Sequence, residues 1–289
     1  MTEHTSMTGN GLPHHHTTLV TGATQGLGRG IALELAGRGG IVLLHGRDAG
    51  RLAAVAAEVR ALGAGGEVRT YAADLADLDE VADLARRVRE AEPRLDALVH
   101  NAVVGGGARP LVREVSAQGH ELRLAVNHLA PYALTRGLLP LLTASAPARI
   151  VNVASIGQEA VDFDDLMVEE EYEGLRAYCR SKLALIMATF ALGAELDGSG
   201  VTVNALHPAH LMDTEGVRTY GLTPLVGIEE GVAPTVRLVV DPELAGVTGR
   251  YFDRFTDARA HEQAYDTEAR RRLMALTDGL VGTAPVPGV

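Results

Sequence analysis

The sequence predicts an α/β protein built on one doubly wound sheet, seven parallel strands with helices on both faces. Three observations lead there. Short apolar runs alternate along the chain with longer stretches of helical period. The apolar runs show little polar alternation, so each strand buries both faces, as strands of parallel sheets do. The helical stretches between them are long enough to serve as crossovers, and right-handed crossovers lay such strands side by side.

Thr18–Thr21 reads as the first strand and Gly26–Arg38 as the helix after it, stopped by Gly39 and Gly40. Ile41–His45 is the second strand, Arg51–Leu62 an Ala-rich helix, Glu67–Ala72 the third strand and Leu78–Glu90 its crossover. Leu95–His100 is a fourth strand, followed by a loop through Gly105, Gly106 and Gly107. A long helical stretch then runs from about Ser116 to Leu142 and contains Pro131. Arg149–Ala154, Val201–Leu206 and Gly249–Phe252 are the last three strands, and helices over Leu175–Leu196 and Glu229–Val240 lie between them. No Pro/Ser/Gly-rich linker divides the chain, so residues 17–280 form one domain, between a disordered tail at 1–16 and a loose tail at 281–289. His14, His15 and His16 in the first tail fit a flexible segment, a metal ligand set or a cloning remnant.

Aromatic residues make up 4 % of the 289 residues and tryptophan is absent, so the core is built from Ala, Val and Leu. A net charge of −11 without a basic stripe argues against nucleic acid as a partner. The one cysteine, Cys179, allows no internal disulfide, and with no signal-peptide pattern a cytoplasmic location is expected. Apolar runs such as Leu183–Leu192 are too short for a membrane span.

Chemistry concentrates at two places. Among 26 basic residues only Lys182 is a lysine, and it stands four residues after Tyr178. On a helix that spacing puts both side chains on one face, and a compact ammonium beside a phenol makes the phenolate easier to form. The second place is Thr21-Gly22-Ala23-Thr24-Gln25-Gly26-Leu27-Gly28, after the first strand and at the opening of the first helix. Glycines there let the backbone approach a pyrophosphate, and the helix N-terminus offers unpaired N–H groups and a positive dipole. Arg47, after the second strand, suits a 2′-phosphate and so NADP(H), although a solvated surface arginine fits as well and the neighbouring Asp48 points toward NAD(H). Asp74, followed by Leu75, ends the third strand; its carboxylate suits either an adenine amino group or a helix cap.

Taken in chain order these motifs resemble the short-chain dehydrogenase/reductase family, single-domain type, over Thr18 to Phe252. The resemblance implies a Rossmann-type fold and further site residues. Asn101 and Ala102 match the cofactor-side Asn-Ala of an Asn-Asn-Ala-Gly segment, Asn127 a catalytic asparagine and Ser155 a catalytic serine. Pro208, Ala209, Leu211 and Thr214 match the loop beside the nicotinamide. In the family the tyrosine, here Tyr178, exchanges a proton with the substrate oxygen, and the lysine, here Lys182, holds the nicotinamide ribose and lowers the tyrosine pKa. The serine steadies charge on that oxygen, and the asparagine anchors a water that connects the lysine to solvent. Read singly, Ser155 also fits a helix cap or turn and Asn127 a surface helix position.

Three residues depart from the family pattern: His100 and Val103 in the Asn-Asn-Ala-Gly segment, and Ala209 where a glycine is usual. None of them removes a proton-transfer group. The spacing around Ser155 and Tyr178 resembles the retinol-dehydrogenase-like branch, which handles lipophilic alcohols, aldehydes and ketones. It encloses an acidic insert, Val161–Glu173, expected to be a solvated face at the mouth of the site rather than a metal site. The resemblance implies a lid over His210–Leu225; His210, Met212, Tyr220 and Val103 are candidate substrate contacts, although ordinary loop packing fits His210 and Tyr220 as well. Cys179 reads as a packed small hydrophobe.

The expectation is an NADP(H)-dependent oxidoreductase interconverting a small or medium apolar carbonyl compound and its alcohol, with no metal. An NAD-linked alcohol dehydrogenase and a catalytically silent protein on the same fold are the competing readings. In the family that the chain resembles, the apolar surfaces of the two long helices pair subunits, so the resemblance implies a homodimer or homotetramer.

Overall fold

The computed structural model describes residues 12, 15–64, 66–105, 112–219 and 221–282. Strands β1 (Thr17–Val20), β2 (Ile41–Gly46), β3 (Val68–Ala72), β4 (Ala97–His100), β5 (Ala148–Val153), β6 (Val201–His207) and β7 (Arg250–Asp253) are all parallel. Among the described residues the sheet nevertheless has eight strands, in the order β3-β2-β1-β4-β5-β6-β7-β8. The seven-stranded expectation missed β8 (Thr256–Asp257), which folds back antiparallel on β7 and is too short to carry a period. Strand order reverses between β1 and β4, and a ligand crevice opens at the carboxyl ends of strands on either side of such a switch point.

Successive residues of each central strand feed opposite layers. Val20, Val42, Val99 and Val151 pack under α1 (Gly26–Gly37), α2 (Ala49–Ala61) and α8 (Glu229–Val240). Leu19, Leu43, Leu98 and Ile150 pack under α3 (Leu78–Ala91) and α5 (Ala130–Ala144). Both layers are almost wholly aliphatic, as the composition requires.

The single helix expected from Ser116 to Leu142 is not one helix. A short α-helical turn, α4 (Leu122–Leu124), leads into a π-helical turn over Ala125–Leu129, and α5 follows. Pro131 has no N–H to give the carbonyl four residues back, that of Asn127, and the ladder widens: the Ala130 N–H bonds the Ala125 carbonyl.

Two helices were not expected. The short α7 (Glu215–Thr219) lies in the lid region, and α9 (Thr267–Val281) is capped by the Asp266 carboxylate and closed by Gly282 at φ +70°. The buried face of α9, Leu273 and Thr277, packs on α6 (Gly174–Glu195) and on the π-helical turn. There Thr277 Oγ1 lies 2.8 Å from His128 Nε2, and the Tyr132 hydroxyl donates to Asp278 Oδ1 at 2.6 Å. The chain's own helix thus covers part of the surface that the homo-oligomer expectation assigned to subunit pairing. Most of the two expected tails, residues 1–11, 13, 14 and 283–289, lies outside the described residues.

Three histidines are buried at 1–3 % exposure: His45, His100 and His128. Burial holds His45 and His128 down at about 4; burial, with His45 nearby, holds His100 at about 3. All three are neutral in the fold at pH 7, whereas the unfolded chain protonates them near pH 6.5. Between pH 6.5 and 4 the unfolded state therefore binds protons that the folded state refuses, and stability falls as pH falls, by up to ~1.4 kcal/mol per pH unit for each histidine. Urea melts at pH 7, 6 and 5 measure this decline, and it is smaller in a His128→Gln variant.

Candidate active site

The cofactor end of the crevice is organised by β1 and β4. Thr21 Oγ1 accepts from the N–H groups of Asn101 (2.9 Å) and Ala102 (3.1 Å), and the Asn101 carboxamide donates to the carbonyls of Thr21 (2.9 Å) and Gly22 (3.2 Å). This lacing turns the chain sharply at Gly22, φ +65°, where a Cβ would lie 2.8 Å from Ala102 Cα. A Cβ on Gly28 would sit 2.3 Å from the Gly22 carbonyl oxygen, so side chains are excluded from the wall of the turn. The N-terminus of α1 opens onto the turn with no side-chain cap from Gln25, leaving its N–H groups available to an anion. Glycines that a Cβ would overfill and an uncapped helix start are what a dinucleotide pyrophosphate needs. Gly22, Gly26, Leu27 and Gly28 would hold it, with Thr24, packed against Gly46, and Gln25 at the rim.

His45 supports this loop from below: its Nδ1 accepts from the Gly22 N–H at 3.4 Å while Nε2 lies 3.1 Å from the Ala73 carbonyl oxygen. Arg51 Nη1 donates to Gln25 Oε1 at 2.9 Å, bringing a second guanidinium to the rim near Arg47. Arg47 itself is exposed at the end of β2. Its neighbour Asp48 caps α2, accepting from the Arg51 N–H, which holds its carboxyl below the usual range. The ambiguity at Asp74 is resolved in part: Asp77 caps α3, and Asp74 Oδ1 takes the Ala76 N–H in a local turn. Leu75 is buried beneath it.

Beyond β6, Pro208 and Ala209 are buried and Leu211 adopts φ +46°. Thr214 comes over the glycine turn: a Cβ on Gly26 would lie 3.4 Å from its Cγ2. His210 is exposed, with its ring 6.3 Å from that of His207, and Val103 is 53 % exposed. Met212, a candidate substrate contact, is partly buried. Its thioether fills the notch at Gly231 and packs on the core beneath α1 and α8. Tyr220 lies outside the described residues.

The catalytic end is assembled from β5, α6 and the π-helical turn. Lys182 is 2 % exposed; its Nζ donates to the Val153 carbonyl at 2.8 Å and lies 5.8 Å from the centroid of the half-buried Tyr178 ring. Burial alone pulls Lys182 down to about 7. Ser155 Oγ accepts from the Gly157 N–H at 3.0 Å. A Cβ on Gly157 would meet Cys179 Sγ at 3.2 Å, Ser155 Oγ at 3.5 Å and Tyr178 Cε1 at 3.9 Å, so the serine hydroxyl and the tyrosine ring flank the same glycine. Asn127 is buried. Its Oδ1 accepts from the Val104 N–H (2.9 Å), and its Nδ2 donates to the Val104 carbonyl (2.8 Å) and to Ser181 Oγ (2.9 Å). Ser181 Oγ in turn donates to the Tyr178 carbonyl at 2.7 Å. The four expected catalytic residues thus converge. Burial pushes the Cys179 thiol up to about 11, in keeping with a packed role.

The acids of the insert build their own loop. Asp165 accepts from the N–H groups of Glu169 and Glu170, and Glu173 caps α6. Tyr172 donates to Glu121 at 3.0 Å, tying the insert to the start of α4 and to the buried Arg123, which holds the Gly105 carbonyl.

Residues 16–222 match the model of the short chain dehydrogenase family. The chain belongs to that family. Human retinol dehydrogenase 13 is 39 % identical over 283 residues, covering 92 % of this chain and 84 % of the human protein. Mouse retinol dehydrogenase 14 is 35 % identical over 300 residues, covering 94 % and 87 %. Among solved structures, an uncharacterised protein of Mycobacterium paratuberculosis superposes with a TM-score of 0.75 at 26 % identity, covering 94 % of this chain and 95 % of that one. A short-chain dehydrogenase of Shigella flexneri complexed with NADP gives 0.69 at 27 %, covering 83 % and 97 %. As a short-chain dehydrogenase with retinol-dehydrogenase-like relatives, the protein is an NAD(P)-dependent oxidoreductase acting on CH–OH groups.

Sequence reasoning missed Thr21 as the knot of the turn, His45 beneath it and Ser181 between Asn127 and Tyr178. Only Ser181 had a local signal, three residues after Tyr178 on the same helix. Asn101→Ala removes both donors to the turn and leaves two carbonyls short of a partner. The dinucleotide-induced melting shift is expected to shrink and dinucleotide affinity to fall about tenfold, roughly the 1–3 kcal/mol of such losses, as read by fluorescence titration.

Proposed function

We propose that this short-chain dehydrogenase is an NADP(H)-dependent carbonyl reductase acting on small or medium apolar ketones or aldehydes. The observation that carries the reading is the meeting of the Ser155 hydroxyl and the Tyr178 ring beside Gly157, with Lys182 Nζ 5.8 Å from the centroid of that ring.

The bound dinucleotide supplies the hydride. The chain's own groups handle the oxygen. With one Ser155 lone pair taken by the Gly157 N–H, the Ser155 O–H is free to donate to a substrate carbonyl oxygen. The Tyr178 hydroxyl gives that oxygen its proton, or takes it back in the reverse direction. Lys182 favours the departure of that proton, and the Val153 carbonyl steadies its charge against the burial that opposes it. Asn127 braces the helix carrying both groups through Ser181. Exposed apolar side chains at Ile156 (56 %) and Leu175 (57 %) flank these groups in sequence and favour an apolar substrate.

For the cofactor, the exposed Arg47, the second guanidinium of Arg51 and the engagement of Asp48 as a helix cap all favour a 2′-phosphate. The NADP of the Shigella flexneri relative supports the same choice. The relatives' name, retinol dehydrogenase, supports a second reading, oxidation of a lipophilic alcohol at the same groups. A homodimer or homotetramer would pair through surface that α9 leaves open.

Arg47→Ala is expected to weaken NADPH about tenfold, the scale of one charge-assisted bond, and to leave NADH unchanged. Equal losses for both in a titration would refute the NADP(H) preference. Tyr178→Phe is expected to cost at least about a hundredfold in carbonyl-dependent NADPH oxidation while the melting shift with NADPH persists.

A further inference from the structure

The turn that follows Ser155 is held by residues nearly a hundred positions away, outside the span matched by the family model. The Ser155 carbonyl accepts two hydrogen bonds: from the Tyr251 hydroxyl on β7 at 3.0 Å and from Gln158 Nε2 at 3.0 Å. The direction of the Gln158 carboxamide is not free. Its Oε1 accepts from the His261 N–H at 2.7 Å, so the NH₂ end faces Ser155. Two residues further along, the Gln263 carboxamide pairs with both backbone groups of Val161, accepting from its N–H at 2.6 Å and donating to its carbonyl at 2.9 Å. Segment 155–161 has no regular secondary structure of its own, so these bonds replace the ladder it lacks.

We infer that Tyr251 and Gln158 are positioning residues for the Ser155 hydroxyl. Two donors on one carbonyl fix the plane of the peptide that follows Ser155. That plane sets the path to Gly157, whose N–H reaches back to Ser155 Oγ at 3.0 Å and leaves the O–H as the outward donor. Tyr251 is 3 % exposed, and burial raises its phenol well above the usual range. It therefore stays protonated and serves as a constant donor rather than as a proton-transfer group. The C-terminal strand and turn thus do part of the work of the catalytic serine without touching the substrate.

The inference rests on the carbonyl-reductase reading, and its test separates the two. In full-length protein, Tyr251→Phe keeps the ring and removes the donor. The kcat for carbonyl reduction is expected to fall about fivefold, the scale of one neutral hydrogen bond, with the NADPH dissociation constant unchanged. In a Ser155→Ala background the same substitution is expected to change kcat less than twofold, because the group it positions is gone. Gln158→Met, which leaves β7 untouched, is expected to show the same pattern. A kcat within twofold of the unmutated protein in both variants, or an equal loss with and without Ser155, would overturn the inference. If the unmutated protein reduces no carbonyl compound, the functional reading fails instead, and hydrogen exchange decides the clamp. Faster exchange in Tyr251→Phe confined to 156–161 upholds it, and unchanged exchange there overturns it.

Discussion

The Thr21 hydroxyl and the Asn101 carboxamide join β1 to β4 at the point where the sheet reverses its strand order. Parallel strands leaving a sheet at such a point diverge, and the crevice between them has no ladder to hold its walls. Here five short polar links replace it, if the bond from Thr21 Oγ1 to the Val99 carbonyl is included. They set the φ of Gly22, which aims the N-terminus of α1 into the crevice, and they start the path from β4 toward Val104, where the Asn127 carboxamide takes hold of both backbone groups. Cofactor turn and catalytic helix are thereby referred to one junction.

What the sequence disclosed follows the range of the interactions involved. The parallel strands were legible because burial on both faces leaves an unbroken apolar run, and Tyr178 with Lys182 because four residues on a helix are local geometry. The glycine turn was legible because few other residues tolerate that backbone. Asn127 came only through family resemblance, and the widened turn that carries it was hidden: Pro131 stood inside one expected helical stretch, with no hint that the ladder would re-form at a longer step. The helix α9 was missed although Leu273 and Thr277 stand four apart, because the run Arg270-Arg271-Arg272 masks their stripe. The packing of the Met212 sulfur in the notch at Gly231 joins residues nineteen apart and has no local signature. The links from β7 and the following turn to segment 155–161 span about a hundred residues, and no local pattern marks them.

An almost wholly aliphatic core also shapes how the site is held. Valine and leucine fill the layers on either side of the sheet but offer few directional contacts, so orientation falls to isolated polar side chains set into that apolar matrix. Thr21, His45, Asn127, Ser181 and Tyr251 each bond across secondary elements or to the helix bearing Tyr178. The outer surface, by contrast, is dressed with arginine–carboxylate pairs, most of them exposed and individually weak.

The single lysine of the chain is buried one helical turn from Tyr178, 2 % exposed. The folded surface therefore presents no side-chain primary amine. Acylating dyes, bifunctional succinimidyl cross-linkers and reductive methylation find no exposed lysine to attack, and attachment at position 182 reports that the chain has opened. A protein whose exterior cations are all guanidinium groups is, in effect, silent to lysine chemistry until it unfolds.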